Sequence, residues 1–232
     1  VCNPRRNHLL QSGNKSDHVN AGKLAELLRA GLLQPVYHGA SDVRALKELA
    51  HAYDQLTQDR TRVMSRLKSL YRARALACAG TAPYSHARRG EWLEQLKEPT
   101  TRQRAEWRYR ELDAVGGLRR EAYKQLLTEA RPHPACQRLL GVPWLGPIRT
   151  AQLIAAVGSP HRSRTKRQFW AYCGLAVVTK SSADHELFDG RWVRRAGAMQ
   201  TRGLNVQFNH RLKAVFKGAS LSALKDETVR RY

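Results

Sequence analysis

The stretch "DVRALKELAHAYDQLTQDRTRVMSRLKSLYRARALACA", residues 42–79, decides the architecture. Leu46, Leu49, Tyr53, Leu56, Arg60, Val63, Leu67, Leu70, Arg74 and Ala77 follow one another at alternating spacings of three and four. That is an a/d heptad seam, and it predicts a long helix paired with another helix. Two seam positions hold Arg60 and Arg74, which either set the register or face phosphate. The outer face is basic, with Arg62, Arg66, Lys68 and Arg72. Residues 80–101 then read as a turn region around a short helical piece. Residues 102–131 predict a second long helix, with Trp107, Leu112, Val115, Leu118, Ala122 and Leu126 as its apolar positions. Gly116 and Gly117 weaken it in the middle. The economical arrangement over 41–131 is an antiparallel helical hairpin, with a plain helical bundle as the alternative.

Upstream lies "NKSDHVNAGKLAELLRAGLL", residues 14–33. Ala21, Leu24, Ala25, Leu28 and Leu32 share one face and predict a helix from about Asn20 to Leu33, closed by Gly31 and Pro35. Its opening crowds Lys15, Asp17, His18 and Asn20 together. Asp17 either complements the helix dipole or holds a metal ion. Asn20 either caps the helix or lends a carbonyl oxygen to the same ion. Residues 1–40 read as strand end, loop and helix. A start at Val1 and an end at "VRRY" read as a piece of something longer.

Downstream, Pro132 and Pro134 break the second helix and mark a boundary, and residues 137–232 carry more Gly, more aromatics and shorter elements. "LLGVPWLGPIRTAQLIAAVG", residues 139–158, resembles a helix-hairpin-helix element, in which backbone N–H groups of the second helix grip a phosphate. Trp144 stands where such hairpins usually carry Gly, and an ordinary helical turn is the alternative. "SPHRSRTKRQ", residues 159–168, places Arg162, Arg164, Lys166 and Arg167 within six positions, either as a loop contacting a nucleic-acid backbone or as a solvated charge run. "TKSSADHELFDGRWVRR", residues 179–195, holds the tandem Ser181 and Ser182, an Asp-Gly hairpin turn, and the pair Arg194 and Arg195. The serines beside Asp184 and His185 do not read as a triad, whose members are usually distant in the chain.

The 232 residues carry 41 Lys and Arg against 19 Asp and Glu, a formal charge of +22. Such an excess is costly in self-repulsion unless a polyanion neutralises it, which favours nucleic acid over a membrane surface. No run of about 18 apolar residues is present. Cys2, Cys78, Cys136 and Cys173 are scattered, without a CxxC pair, which argues against zinc and for reduced thiols in a cytoplasm.

Taken together, "NPRRNHLLQSGNKSDHVNAGKLAELLRAGLL" is similar to the end of the N-terminal domain of the insertion sequence 110 family of transposases, with its Lys-[Ser/Thr]-Asp run ahead of a "KLAELLRxGLL" helix. "GVPWLGP", "AQLIAAVG", "FWAYCGL", "SSA", "TRGLN" and "LKAVFKGA" resemble that family's C-terminal transposase domain of the IS116/IS110/IS902 type. The resemblance implies a mainly α fold with some β. Residues 1–40 would be the remnant of a RuvC-type, ribonuclease-H-like α/β domain, 41–131 a coiled-coil hairpin, and 137–232 a mostly helical transposase domain. It implies a recombinase that cuts and rejoins DNA, is guided by a structured RNA, assembles as dimers or tetramers through the coiled coil, and works in the bacterial cytoplasm near the nucleoid. It also implies Mg²⁺ on four acids, with Asp17 in the third place, Asn20 in the fourth, and the first two upstream of Val1. The nucleophile falls on Ser182, or second on Ser181, followed here by Ala183 where the family commonly has Gly. Arg5, Arg6 and Lys15 join the basic helical faces as phosphate contacts. A copy that binds nucleic acid without cutting it is the alternative.

Overall fold

A computed structural model describes residues 16–33, 43–179, 185–194, 201–204 and 208–231. The chain divides into two compact units, Val1–Ala40 and Ser41–Tyr232. In the first, helix α1 covers Asp17–Arg29. Ser16 is its N-cap, its hydroxyl accepting from the Val19 N–H at 3.2 Å. Capping by Ser16 corrects the expectation that Asn20 caps the helix: Asn20 lies three residues inside it, and its own N–H already bonds the Ser16 carbonyl at 2.9 Å. The helix therefore starts earlier than the apolar periodicity indicates, because the capping serine rather than the first apolar residue sets its start. Gly31, at φ +65°, follows the Ala30 C-cap, and the Leu32 and Leu33 N–H groups fold back onto the Leu27 carbonyl.

The second unit is mainly helical. Helix α2 spans Arg44–Arg72, α3 Arg89–Glu94 and α4 Pro99–Ala130. Helices α2 and α4 pack against each other. The buried positions of α2 are Leu46, Ala50, Tyr53, Val63, Leu67, Leu70 and Tyr71. Those of α4 are Thr101, Ala105, Tyr109, Leu112, Ala122, Leu126 and Ala130. Trp107 and Leu118, expected on the apolar face of α4, are instead more than half exposed. The seam of α4 runs through small residues, Thr101 and Ala105, that let the helices approach closely; bulk alone misleads there. Pro99 opens α4, where its missing N–H has no acceptor to lose.

The hairpin has two separate apolar cores. At the tip, Leu67, Leu70, Tyr71, Cys78, Leu96, Ala105 and Tyr109 cluster. Tyr109 donates to the Pro83 carbonyl at 2.9 Å, so Tyr71, 3.0 Å away, donates to the Tyr109 oxygen. Arg89 closes this end with a bidentate pair to Asp113 at 2.5 and 2.6 Å and lies 4.8 Å over the Tyr109 ring. At the base, Leu46, Ala50 and Tyr53 meet Ala122, Leu126 and Ala130, together with Cys136, Ala151, Ile154 and Ala155. Between the clusters Val63 and Leu112 stay buried, and the seam also takes in polar contacts. Arg119 donates to the Tyr53 hydroxyl at 2.9 Å and to Thr57 at 3.2 Å, beside Gly116 and Gly117.

Beyond the hairpin come α5, Pro134–Leu140; α6, Pro147–Val157; α7, Lys166–Cys173; α8, His210–Ala223; and α9, Glu227–Arg230. Pro134, expected as a breaker, begins α5. Helix α6 serves two cores. One face completes the hairpin base, and Leu153 on another joins Leu145, Cys173, Leu212 and Val215. Two small antiparallel ribbons complete the fold. Strand β1, Val177–Thr179, pairs with β4, Thr201–Leu204; β2, His185–Phe188, pairs with β3, Arg191–Arg194. No helix among the described residues is long and apolar enough to cross a membrane.

Candidate nucleic-acid interface

The α5–α6 turn runs through residues 141–146. Trp144 adopts φ +64°, the left-handed region that favours glycine. Gly146 is the N-cap of α6 and Pro147 its first residue. Arg149 donates to the Trp144 carbonyl at 2.9 Å and so pins the turn from within the helix. The Ile148 and Arg149 N–H groups fall in the first turn, where a helix offers no acceptor.

The basic loop after α6 is tightly built. Arg162 donates to the Val157 carbonyl at 3.1 Å and lies over the Tyr172 ring at 5.4 Å. This expected phosphate contact thus closes the C-terminus of α6, where a cation suits the helix dipole. Thr165 caps α7 by accepting from the Gln168 N–H at 3.3 Å, and Gln168 accepts in return from the Arg164 N–H at 2.9 Å. The T-x-x-Q spacing is that of a capping box, although here Gln168 takes the N–H of Arg164 and not that of the cap residue Thr165. Lys166 and Arg167 occupy the first turn of α7, and Arg164, Lys166 and Arg167 are all exposed. Helices α6, α7 and α8 have no acid in their first turns. Cations at that end oppose the dipole by about 0.3–1 kcal/mol each, a cost that a bound anion reverses.

On the hairpin, the expected phosphate contacts also hold internal partners. Arg62 pairs with Asp59 at 2.7 Å and Arg66 with Glu111 at 3.8 Å, yet both side chains stay more than half exposed. Lys68 donates to the Gly80 carbonyl at 2.7 Å and lies 5.3 Å from the Tyr84 ring centre, which ties it to the tip loop.

Asp17 and Asn20 share one face of the first turns of α1, three residues apart, with Asp17 exposed and Asn20 half-buried. No group of three or more His, Cys, Asp or Glu side chains that could hold a metal occurs among the described residues. A single carboxylate and a neutral amide do not fit Mg²⁺ by themselves, since that ion takes near-ideal octahedral oxygen coordination. Arg5, Arg6, Lys15, Ser181, Ser182 and Arg195 lie outside the described residues, as does the Arg194 side chain, although the Arg194 backbone pairs with His185.

Sequence reasoning misses the polar joint where α2, α6 and α8 meet. Asp54 accepts from Gln152 at 2.7 Å and faces Arg211 at 3.6 Å, and Arg211 also bonds the His51 Nδ1. Burial pushes the Asp54 carboxyl above its ordinary range, against the pull of Gln152 and Arg211. Its partners lie about a hundred residues or more downstream of Asp54, so local spacing carries no trace of the joint.

Comparisons with known proteins match two stretches of the chain to transposase families. A family model described as "Transposase IS116/IS110/IS902 family" matches residues 136–224. A second, described as "Transposase" and of the DEDD IS110 kind, matches residues 2–73. The transposase for insertion sequence element IS1111A of Coxiella burnetii is 24% identical over 205 residues, covering 82% of this chain and 53% of its own length. The chain thus spans about half the length of this curated relative.

Proposed function

The chain belongs to the IS116/IS110/IS902 transposase family, and from that premise we propose that the protein is an insertion-sequence transposase that binds, cuts and rejoins DNA. The observation that carries this reading is the pair of family matches, one over residues 2–73, through the end of α2, and one over residues 136–224. The charge of +22 and the exposed cations Lys166 and Arg167 in the first turn of α7 support it, because both are unfavourable without a polyanion.

In this reading Ser182, or failing it Ser181, is the nucleophile. Its Oγ bonds to the phosphorus of a DNA linkage as the bond to the departing deoxyribose oxygen breaks. That oxygen takes up the proton the serine gives away. The covalent phosphoserine then rejoins to another strand end by the reverse step, so no bond energy is lost to water. Residues 1–40 stand as the end of a RuvC-like domain, 41–131 as the coiled coil that joins copies, and 137–232 as the domain bearing the serine. A guide RNA would choose the DNA by base pairing, and the protein would contact backbone and shape. Arg5, Arg6, Lys15, Arg62, Arg66, Lys68, Arg162, Arg164, Lys166, Arg167, Arg194 and Arg195 are the proposed phosphate contacts, Lys68 and Arg162 with internal partners to give up first. Divalent metal belongs to the reading only with carboxylates supplied from outside the described residues to join Asp17.

The test is strand exchange by the full-length protein with its element's RNA, in Mg²⁺, for wild type, Ser182→Ala and Ser181→Ala. Loss of product and of the covalent protein–DNA species in one variant identifies the nucleophile; unchanged exchange in both removes the serine claim. Asn20 in the fourth acidic place favours a second reading, a copy that binds DNA without cutting. That reading predicts salt-sensitive binding by wild type with no cleavage, and gain of cleavage, if any, in Asn20→Asp.

A further inference from the structure

The β2–β3 ribbon is built unlike the rest of the molecule. Asp189 and Gly190 join its strands with φ values of +49° and +72°, the two-residue turn whose twist suits a hairpin. Among the described residues, β2 and β3 pair only with each other. The ribbon nevertheless exposes Phe188 and Trp192 to 72% each, with Val193 and Arg191 also exposed. Two rings left this exposed contribute little to the fold, and exposed aromatic rings are the groups on which bases stack. The register settles how the two rings are placed. Phe188 stands opposite Arg191 on one face, and Trp192 stands opposite Leu187 on the other. A ribbon that docks on a protein or a membrane gathers its aromatics on one side. Rings on opposite faces beside the tip suit insertion between two flat surfaces, and an opened stack of bases provides them. The chain's charge of +22 brings a polyanion to the site, and exposed Arg191 at the tip adds a phosphate contact.

We propose that the 185–194 ribbon is a base-stacking probe, on which Trp192 and Phe188 stack against unpaired bases of a separated strand. The inference rests on the nucleic-acid reading above and adds the form of nucleic acid that this element takes. DNA and RNA single strands offer the same stacking surface, so both belong in the test.

The experiment measures fluorescence anisotropy of three labelled probes of equal length: duplex DNA, single-stranded DNA and single-stranded RNA. The full protein is compared as wild type, Trp192→Ala, Phe188→Ala and Trp192→Phe at one salt concentration. Trp192→Ala and Phe188→Ala each weaken single-strand binding by about tenfold, as loss of one stacked base does, and change duplex binding less than twofold. Trp192→Phe, which keeps a ring, recovers most of the affinity. Unchanged circular dichroism shows that the variants are folded, since both rings are exposed. Which single strand, DNA or RNA, shows the loss identifies the strand that the ribbon reads. Equal loss on duplex and single strand, or no loss on either single strand, overturns the stacking role while leaving nucleic-acid binding intact. A change in self-association in Trp192→Ala with single-strand binding unchanged likewise overturns it, in favour of contact between copies. Wild type that binds none of the three probes in a salt-dependent way overturns the nucleic-acid reading itself.

Discussion

Thr150 lies in the first turns of α6, fully buried, and its hydroxyl has no hydrogen-bond partner among the described residues. A buried hydroxyl left unpaired costs about 1–3 kcal/mol. Thr150→Val keeps the shape and removes the polar atom, so thermal unfolding should shift up by about 2–4 °C, the effect of ~1 kcal/mol on a unit of this size. Two acids make opposite predictions for pH. The Arg89 hydrogen bonds hold the Asp113 carboxyl below the ordinary range. Its stabilisation is complete above the unfolded-state pKa and is lost as pH falls through the lowered one. Asp54 is raised by burial. Its contribution therefore grows as pH falls through the raised value and is absent well above it. Denaturant titrations across pH 3–7 should show Asp113→Asn losing its stability deficit toward acid, and Asp54→Asn falling further behind wild type there. At this scale the sequence was partly legible. Asp17 and Asn20 do fall on one helical face, but the partners of Asp54 and Asp113 are set by packing between distant helices and leave no local pattern.

Among the elements, the joint between α7 and α8 is the most tightly specified. Gly174 ends α7 at φ +71°, and a Cβ there would meet the Phe208 ring at 2.5 Å. Asn209 caps α8 through bonds from the Arg211 and Leu212 N–H groups, while its amide N–H₂ donates to the Tyr172 hydroxyl at 3.0 Å. Gly174→Ala combines a left-handed backbone with a clash. It should destabilise the second unit by more than the ~1–2 kcal/mol of the backbone cost alone, read as an earlier midpoint in urea. Asn209→Ala, by contrast, should cost about 1 kcal/mol for the cap. The long helices were legible because their apolar period runs for many turns. Boundaries were less so: α4 begins at Pro99 and α1 at Asp17, each set by a proline or a cap rather than by an apolar residue. The Asp189-Gly190 turn was legible from two residues, since few dipeptides tolerate positive φ twice.

At the scale of the molecule, the excess of positive charge argues for a polyanionic partner, and two transposase family models match parts of the chain. Binding to duplex DNA should therefore weaken steeply with salt, with a log–log slope near −0.9 for each phosphate neutralised. Arg164→Ala, Lys166→Ala and Arg167→Ala together should flatten that slope by up to about three. What composition could not show is how the long hairpin divides its stability. Between its two apolar clusters only Val63 and Leu112 are buried among the described residues, next to the Arg119–Thr57 hydrogen bond and the paired glycines. Cooperativity passes poorly through such a stretch. Amide exchange should accordingly report two tiers of protection, slow at the base that α6 buttresses and faster toward the Pro83–Tyr109 end. The far end of the arm then opens ahead of its root, and one hairpin unfolds as two.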